Sequence, residues 1–197
     1  EFNGWSNGNP PMHETILPFT RLLGGPMDYT PGIFEVKMSF YDKSKKEQVH
    51  TTLAKQLALY VTMYSPLQMA ADLPENYEKY PDAFQFIKDV AVDWQDSKYL
   101  EAEPGDYLTV ARKDKKSENW FLGAITDENA RKTKINLAFL TPGKKYKATI
   151  YQDGKTAHWE KNPINYEIKT RTVTSKSRLK LVLAAGGGTA ISLTPIN

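Results

Sequence analysis

The sequence predicts an α+β fold in which helical segments come first and an all-β antiparallel sandwich follows them. Between residues 48 and 64 apolar side chains recur at the spacing of one helical face. Two further helical segments are predicted at residues 73–77 and 81–90. From about residue 107 the period changes to two, which indicates strands. The helical face consists of Leu53, Leu57, Tyr60, Val61 and Tyr64.

The β region contains seven predicted strands, separated by turn signals rich in Gly, Pro, Asn and Asp. Their spacing is typical of an antiparallel sandwich. Gly186, Gly187 and Gly188 are predicted to form a flexible turn or linker before the last strand, because no lysine or helix follows as in a phosphate-binding loop. The predicted strands are residues 107–112, 120–125, 134–139, 147–151, 166–170, 179–183 and 190–195.

The helical pattern gives way to strands through Glu103-Pro104-Gly105-Asp106. We therefore predict two domains, residues 1–102 and residues 103–197. Within the first domain, residues 1–34 are dense in Asn, Gly, Pro and aromatic side chains, which is typical of an irregular surface that carries function. Residues 15–23 inside this region could form a short helix or a buried strand.

The composition limits the kinds of partner that the chain can have. With 40% hydrophobic residues in a chain of 197, a core can be buried. The longest apolar run, near residues 57–63, is too short to cross a bilayer, so we predict no membrane span. The net charge of +3, with Lys and Arg spread among Asp and Glu, is a weak field, and we predict no nucleic-acid partner.

The chain has no cysteine, which excludes disulfides, thiol catalysis and cysteine-based metal sites but leaves the cellular location open. Residues 1–5 contain neither an initiator Met nor the basic-then-apolar pattern of a signal peptide. We expect this N-terminus to be a cut or processed end, with further sequence upstream of it.

Carboxylates and one histidine in the loop-rich region are the acid–base candidates. Cleavage of a glycosidic bond needs one carboxylic acid to protonate the leaving oxygen and a second carboxylate across the sugar ring. A carboxylate beside Trp5 and a polar Asn/Gly loop suits such a site, because aromatic faces pack against sugars. The alternative for Glu1 is an exposed terminal carboxylate. The candidates are Glu1, His13, Glu14, Asp28 and Glu35.

Other residues have two interpretations each. His13 and Glu14 could ligate a metal ion or act as an acid–base pair, or they could be hydrogen-bonded structural groups. Asp28 lies between two prolines, where a carboxylate commonly accepts backbone N–H bonds and fixes a turn. The β-region aromatics could form a sugar-stacking platform, but such residues usually pack in the core or as cross-strand pairs. These aromatics are Trp120, Tyr151, Trp159 and Tyr166.

Several catalytic motifs are missing from the sequence. There is no G-x-S-x-G, no P-loop, no dinucleotide-binding fingerprint and no H-E-x-x-H. Hydrolysis of esters or nucleotides is therefore disfavoured.

Three ordered motifs near the N-terminus resemble the late catalytic-barrel segment of glycoside hydrolase family 97. They are Glu1-Phe2-Asn3, Asn9-Pro10-Pro11-Met12-His13, and Leu17-Pro18-Phe19-Thr20-Arg21 running into Gly25-Pro26-Met27-Asp28-Tyr29-Thr30-Pro31-Gly32. Tyr99-Leu100-Glu101 and Trp120-Phe121-Leu122-Gly123-Ala124-Ile125-Thr126-Asp127 are similar to the same family's entry into its C-terminal β domain. The likeness covers most of the chain.

The resemblance implies an architecture and an activity. Members of the family are calcium-dependent, exo-acting α-glycosidases with an N-terminal β-sandwich, a central (β/α)₈ barrel and a C-terminal β domain. The chain would then comprise the terminal βα units of the barrel, followed by the antiparallel sandwich. It would come from a periplasmic or secreted α-glucosidase or α-galactosidase acting on an oligosaccharide substrate.

The resemblance also implies roles for single residues. Glu1 matches the general acid of the motif Gly-x-Glu-Tyr/Phe-Asn, which also lies at the calcium ion. Trp5 and His13 are expected to bind substrate, and Arg21 and Asp28 to support the site at the ends of the last barrel strands. The other calcium ligands and the second catalytic carboxylate would lie upstream of residue 1, in a missing N-terminal part of the same enzyme.

One departure affects this assignment. The family commonly has Pro-Pro-Glu-His, where this chain has Pro10-Pro11-Met12-His13-Glu14. A carboxylate has therefore been lost at Met12 or displaced to Glu14. A second hypothesis, of a different class, makes the chain a non-catalytic carbohydrate-binding or assembly module with Trp120 or Trp159 exposed on the sandwich.

Overall fold

The structure is a computed structural model and describes residues 8–196. Its four α-helices are α1 (His13–Ile16), α2 (Leu53–Thr62), α3 (Pro74–Glu78) and α4 (Pro81–Asp89). Short 3₁₀ turns lie at Leu17–Phe19, Arg21–Gly24 and Met38–Phe40. The strands are β1 (Trp94–Glu103), β2 (Tyr107–Asp114), β3 (Trp120–Thr126), β4 (Arg131–Asn136), β5 (Lys145–Asp153), β6 (Tyr166–Val173), β7 (Arg178–Leu183) and β8 (Gly188–Ile196).

The strands form two antiparallel sheets. The larger sheet has the order β1-β2-β3-β8-β5-β6, and the smaller sheet consists of β4 and β7. A hydrophobic core that includes Leu122, Ile150, Leu181 and Ile191 lies between the two sheets. The described chain is thus mostly antiparallel sheet with few helices, which confirms the predicted β-sandwich.

The opposite face of the larger sheet is covered by α2. A second core joins this helix to α4 and to sheet residues such as Phe121 and Tyr151. The molecule therefore has three layers over this region, with the six-stranded sheet in the middle.

The strand predictions hold with two differences. Strand β1 was not predicted, because its sequence Trp94–Glu103 lacks an apolar/polar alternation and most of its residues are partly or fully exposed. Strand β4 begins and ends three residues earlier than predicted. The apolar Leu137 and Phe139, which suggested the later position, lie after the strand; Leu137 is in the core and Phe139 packs against it.

Helix α2 was predicted over residues 48–64 with one apolar face, but it spans Leu53–Thr62 and all ten of its residues are buried. The polar Lys55 and Gln56 are buried along with the apolar residues. The helix begins where the side chain of Thr52 accepts a hydrogen bond from the N–H of Lys55 at 3.2 Å, as an N-cap residue does. Since both sides of α2 are covered, the amphipathic prediction was wrong about its exposed face.

Two glycines let α2 lie directly on the sheet. A Cβ added at Gly123 of β3 would lie 2.6 Å from the carbonyl oxygen of Ala58, and one at Gly188 of β8 would lie 2.7 Å from the Cα of Lys55. These atoms belong to the helix backbone, so no side-chain movement relieves the overlap. Glycine is required at both positions because helix and sheet approach closely there.

Gly123→Ala is expected to lower the free energy of unfolding by about 1–3 kcal/mol, because the added methyl overpacks this contact. Gly24→Ala is the matched control. A Cβ at Gly24 meets nothing within 4 Å, so the change should stay within about 0.5 kcal/mol. Urea unfolding of the three proteins measures both effects, and equal stability of the two variants would contradict the close approach.

The glycine triplet is a packed turn rather than a flexible linker. Gly186 donates its N–H to the carbonyl of Asp127 at 2.7 Å, and Gly187 accepts from the N–H of Thr126 at 3.1 Å. The ring of Trp159 lies against Gly186, and the carboxylate of Asp153 lies against Gly187. A side chain at either glycine would collide with these groups.

Asp153 joins three elements of the fold. Its carboxylate accepts hydrogen bonds from the Thr52 hydroxyl at 2.6 Å and from the N–H groups of Ala184 and Gly188 at 2.8 Å each. It therefore fastens the start of α2 to the turn before β8. Burial raises the pKa of Asp153 to about 6, against the opposing effect of these hydrogen bonds.

Asp153→Asn is expected to remove a pH-dependent part of the stability. A carboxyl whose folded pKa is about 6 against an ordinary 3.8 stabilises the fold most below pH 3.8, and this contribution is lost as the pH rises through 6. Between pH 5 and pH 7 the unaltered chain should therefore lose about 1 kcal/mol more unfolding free energy than the variant. Urea unfolding at both pH values measures the difference, and parallel pH profiles would contradict it.

Candidate functional site

Of the predicted site residues, Glu1 and Trp5 lie outside the described residues. His13 is the first residue of α1, and its backbone N–H donates to the carbonyl of Pro10 at 2.9 Å. Its side chain is partly exposed. The structure thus describes residues 8–16, which follow the predicted acid and end in the short helix α1. We call this segment the loop of residues 8–16. The contacts that hold it in place are what the structure shows of the predicted site.

The loop is held by Lys55 of α2. The Lys55 ammonium donates to the carbonyl oxygens of Pro11 at 2.6 Å and Thr126 at 3.1 Å. Pro11 belongs to the loop and Thr126 to the end of β3. One buried cation therefore ties the loop, the helix and the sandwich together.

The same ammonium lies 3.1 Å from Oε2 of Glu14. Both side chains are buried, and Oε2 makes no hydrogen bond within the described chain. The contact is therefore an ion pair whose desolvation cost is offset by the mutual attraction and by the two carbonyl acceptors. Glu14 is committed to this pair, so the structural interpretation of Glu14 holds and a role as a free acid or base does not.

Two further contacts fix the loop. The N–H of Met12 donates to Oε1 of Glu128 at 3.3 Å, and Nδ1 of His50 lies 3.0 Å from the carbonyl oxygen of Asn9. Glu128 follows β3 in the sandwich. The β-sandwich thus helps to position the loop after Glu1 through Glu128 as well as through Thr126.

Lys55→Met is expected to destabilise the chain by about 3–5 kcal/mol, because it leaves the buried carboxylate of Glu14 without its partner. Adding Glu14→Gln should restore part of the loss, since no charge is then buried. The ion pair of Lys113 and Glu118, 3.0 Å long, with a partly exposed lysine and an exposed carboxylate, is the matched control.

Lys113→Met should cost less than about 1 kcal/mol, because an exposed pair contributes little. Chemical unfolding of the single and double variants measures these differences. If the double variant is less stable than Lys55→Met alone, the ion pair is not the reason for the loss.

A second loop, residues 27–35, is held by the same helix. Oε1 of Gln56 accepts from the N–H groups of Gly32 at 2.9 Å and Ile33 at 3.2 Å. The Tyr60 hydroxyl lies 3.1 Å from the carbonyl oxygen of Pro31, close to Gly32, whose φ of +91° favours glycine. Helix α2 therefore positions the segments that carry His13, Asp28 and Glu35.

Asp72 fixes the end of this second loop. Its Oδ2 accepts from the N–H groups of Phe34 and Glu35 at 2.7 Å each. Burial by itself would raise the pKa of Asp72, but the hydrogen bonds from Asn76 and from the backbone outweigh it and lower the pKa. The carboxylate is a structural anchor for the loop.

The remaining sequence candidates are not brought into one cluster by any contact within residues 8–196. Asp28 is exposed, and no backbone N–H of residues 8–196 donates to it as expected for a turn-fixing carboxylate. Arg21 donates to the carbonyl of Gly25 at 3.4 Å, and Glu35 lies 3.8 Å from Lys79. Residues 8–196 also contain no group of three or more His, Asp or Glu side chains that could hold a metal ion.

Sequence reasoning missed Lys55, Gln56, Asp72 and Asp153 as anchors of the site. The signal for Lys55 and Gln56 was the composition of α2, where they are the two strongly polar residues among Leu53–Thr62. Asp72 and Asp153 were missed because the segments that they fasten, residues 34–35 for Asp72 and residues 52 and 184–188 for Asp153, are distant from them in sequence.

The aromatic residues of the sandwich divide into two groups. Trp120, with 5% exposure, and Tyr151, with 4%, are core residues, so the interpretation as core is confirmed for both. The version of the binding-module hypothesis that exposes Trp120 is therefore wrong. Trp159 is partly exposed and packs against the ring of His50 with a centroid distance of 4.5 Å.

No helix within residues 8–196 has the length and apolar content needed to cross a membrane.

Comparison with curated proteins finds relatives that are named as retaining alpha-galactosidases. The chain is 34% identical over 183 residues to a retaining alpha-galactosidase from Bacteroides thetaiotaomicron, an alignment that covers 92% of this chain and 27% of that protein. It is 32% identical over 115 residues to a probable retaining alpha-galactosidase from Streptomyces bingchenggensis, covering 58% of this chain and 16% of that protein. The chain thus spans less than a third of the length of these relatives.

Solved structures of glycoside-cleaving enzymes are also similar to the chain. A glycoside hydrolase family 97 enzyme from Pseudoalteromonas sp. strain K8, in complex with panose, matches with a TM-score of 0.90 and 50% identity, over 96% of this chain and 29% of that chain. The same enzyme in complex with acarbose matches equally well. A β-arabinopyranosidase structure shares the fold, with a TM-score of 0.76 and 22% identity, over 92% of this chain and 27% of that chain.

The family described as glycosyl-hydrolase 97 C-terminal, oligomerisation, matches residues 93–194, which run from just before β1 into β8. This match covers more than half of the chain. The chain therefore belongs to glycoside hydrolase family 97, as its N-terminal motifs predicted, and residues 93–194 form the C-terminal domain of that family.

Proposed function

We propose that this chain is the C-terminal part of an exo-acting α-glycosidase that hydrolyses terminal α-linked sugars of an oligosaccharide. The observation that carries the proposal is the anchored loop of residues 8–16. A buried lysine that also binds a sandwich carbonyl, and a sandwich carboxylate, hold this loop, which follows the motif of the predicted acid after four intervening residues. Such anchoring keeps a catalytic group in place from a rigid scaffold.

The first part of the chain supplies the last βα units of the catalytic barrel in this proposal. Tyr29 and Gln68 form a parallel bridge, and α2 lies between them in sequence. Two parallel segments connected through a helix are the repeating unit of a (β/α)₈ barrel. The pairing of β1 with β2 favours a domain division before Trp94 rather than after residue 102.

Glu1 is the general acid in this account. It protonates the glycosidic oxygen as the bond breaks, while a second carboxylate acts from the opposite face of the sugar. That second group belongs to the barrel part that precedes this chain in the intact enzyme, so the chain alone holds one residue of the pair. Trp5 and His13 contact the substrate, with Trp5 stacking on a sugar face.

The proposed substrate is an α-glucoside rather than an α-galactoside. The enzyme solved with panose and acarbose is 50% identical to this chain, whereas the relatives named as retaining alpha-galactosidases are 32–34% identical. Panose is a trisaccharide of α-linked glucose. The identity difference supports the glucose-specific assignment.

Calcium and location are part of the proposal by family resemblance. The described residues do not provide a calcium site by themselves, so calcium would be held by Glu1 together with ligands outside this chain. Bound there, it would supply positive charge beside the sugar. We place the enzyme in the periplasm or outside the cell, which is compatible with the absence of cysteine.

The chain alone is expected not to hydrolyse α-glycosides, whereas the gene product that includes the preceding barrel residues should do so. In that intact enzyme, Glu1→Gln should lower kcat on a glucose disaccharide by about 10²–10⁴-fold, the range for loss of a general acid. The effect should be smaller on a nitrophenyl α-glucoside, because nitrophenolate leaves with little help from a proton donor.

Glu118→Gln, at an exposed carboxylate of the β2–β3 turn, is the matched control and should leave kcat on both substrates unchanged. If the chain alone releases sugar and Glu1→Gln abolishes this release, the second catalytic carboxylate does not lie outside the chain, and the proposal is refuted on that point. Equal losses on the two substrates would refute the role of Glu1 as the acid.

A further inference from the structure

The positive charge of the chain is segregated rather than evenly spread. Residues 130–180 contain thirteen Lys and Arg but three Asp and Glu, whereas the rest of the chain contains thirteen Lys and Arg and twenty Asp and Glu. The description of Lys and Arg as spread among Asp and Glu was therefore wrong, because the small net charge is the sum of a basic region of 51 residues and an acidic remainder. A concentrated field of one sign attracts ligands of the opposite sign.

The fold concentrates part of this charge in a groove between the two sheets. The smaller sheet has two strands, so it leaves much of β6 uncovered beside β7, whereas Ile150 and its neighbours on β5 are buried in the core. Two adjoining cavities, of about 550 Å³ and 200 Å³, follow this gap and share Gln152, Lys169 and Val182 in their linings. They form one elongated groove with β6 on one side and the ribbon of β4 and β7 on the other.

Basic side chains lie along both walls. Glu167 and the buried, fully engaged Asp153 are the acidic residues that line the groove. Glu167 pairs with Lys169 at 2.5 Å, and the other lysines and the arginine of the lining form no ion pair within residues 8–196. The basic lining residues are Lys132, Lys155, His158, Lys169, Arg171 and Lys180.

The ribbon carries further like charges in unfavourable positions. Lys134 and Lys180 are directly opposed across β4 and β7. Like charges in this arrangement destabilise a strand pair. Lys180 lines the groove, so an anion bound there would offset part of this repulsion.

We propose that this groove binds a segment of an anionic polysaccharide, whose carboxylate or sulfate groups contact the lysines of both walls. The concave, elongated shape suits a chain-like ligand, and the floor of small residues, Ala184 and Ala185, leaves room for sugar rings. The edge of β7 that faces away from β4 pairs with no other strand within residues 8–196, so peptide groups along it can meet sugar hydroxyls.

Two other classes of polyanion fit less well. Single-stranded nucleic acid is bound largely by aromatic stacking, and the groove lining contains no Phe, Tyr or Trp. A lipid surface is bound by a convex face with apolar side chains that insert, whereas this site is recessed and Val182 is its one exposed large apolar residue.

The test is binding of labelled decamers of galacturonate and of sulfated dextran to the chain, with fluorescence anisotropy at several salt concentrations. Both probes carry the anionic groups of the proposal, and tight binding of one of them identifies carboxylate or sulfate as the preferred group. Neutral maltohexaose should not bind to the groove. The affinity for the anionic probe should fall as salt is added.

The decisive variant combines Lys169→Gln, Arg171→Gln and Lys180→Gln, which removes three charges from both walls. It should weaken binding of the anionic probe about tenfold. The matched control combines Lys43→Gln, Lys46→Gln and Lys116→Gln, three exposed lysines outside the groove, and changes the net charge equally. Circular dichroism of both variants shows whether they remain folded.

The control variant should bind the anionic probe within twofold of the unaltered chain. If both variants lose the same affinity for the anionic probe, the binding depends on net charge alone and the proposed site is wrong. Failure of both anionic glycans to bind would overturn it as well. Tighter binding of a single-stranded oligonucleotide or of phosphatidylglycerol vesicles would assign the groove to a different class of ligand.

Discussion

The close approach of α2 to the six-stranded sheet is the contact on which the rest of the structure depends. The helix backbone lies on Gly123 and Gly188, where any side chain would overlap with it. This contact buries one side of the helix under the sheet and presents its other residues to the N-terminal loops. Because all ten residues of α2 are buried, its polar side chains need partners within the protein, and Lys55, Gln56 and Tyr60 find them mainly in the loop backbones.

The polar residues of α2 thereby become the supports of the site. Lys55 holds the loop after Glu1, and Gln56 and Tyr60 hold the loop of residues 31–33. The sandwich contributes through Thr126 and Asp153, so it is part of the support and not merely an appended domain. This explains in physical terms why the segments of the proposed barrel and the β domain occur together in one chain.

Much of the fold could be predicted from the sequence, because it depends on local periodicity. Helices α2 to α4 and strands β2 to β8 follow from it. Strand β1 could not be predicted in this way, since Trp94–Glu103 is an edge strand with no buried face. The ends of α2 were placed too far apart, because the apolar period continues past Thr62 although the hydrogen-bonded helix does not.

The site was less predictable, for a different reason. The family motifs identified the N-terminal region as part of the site. The role of Lys55 could not be predicted, because its charge is compensated by Glu14, which is forty-one positions away. The basic groove was hidden by the net charge, because its walls come from β4, β6 and β7, which meet only in the folded sandwich. Pairings between distant residues leave no periodic trace in a single sequence.

Hydrogen exchange of the double variant Lys55→Met with Glu14→Gln tests most directly whether α2 holds the loop of residues 8–16. The variant buries no charge, so the sandwich should remain intact. We expect the amides of His13 and Thr15 to exchange faster than in the unaltered chain, while those of β3 and β8 keep their protection. Unchanged exchange in the loop, or an equal loss of protection throughout the sheet, would contradict the account.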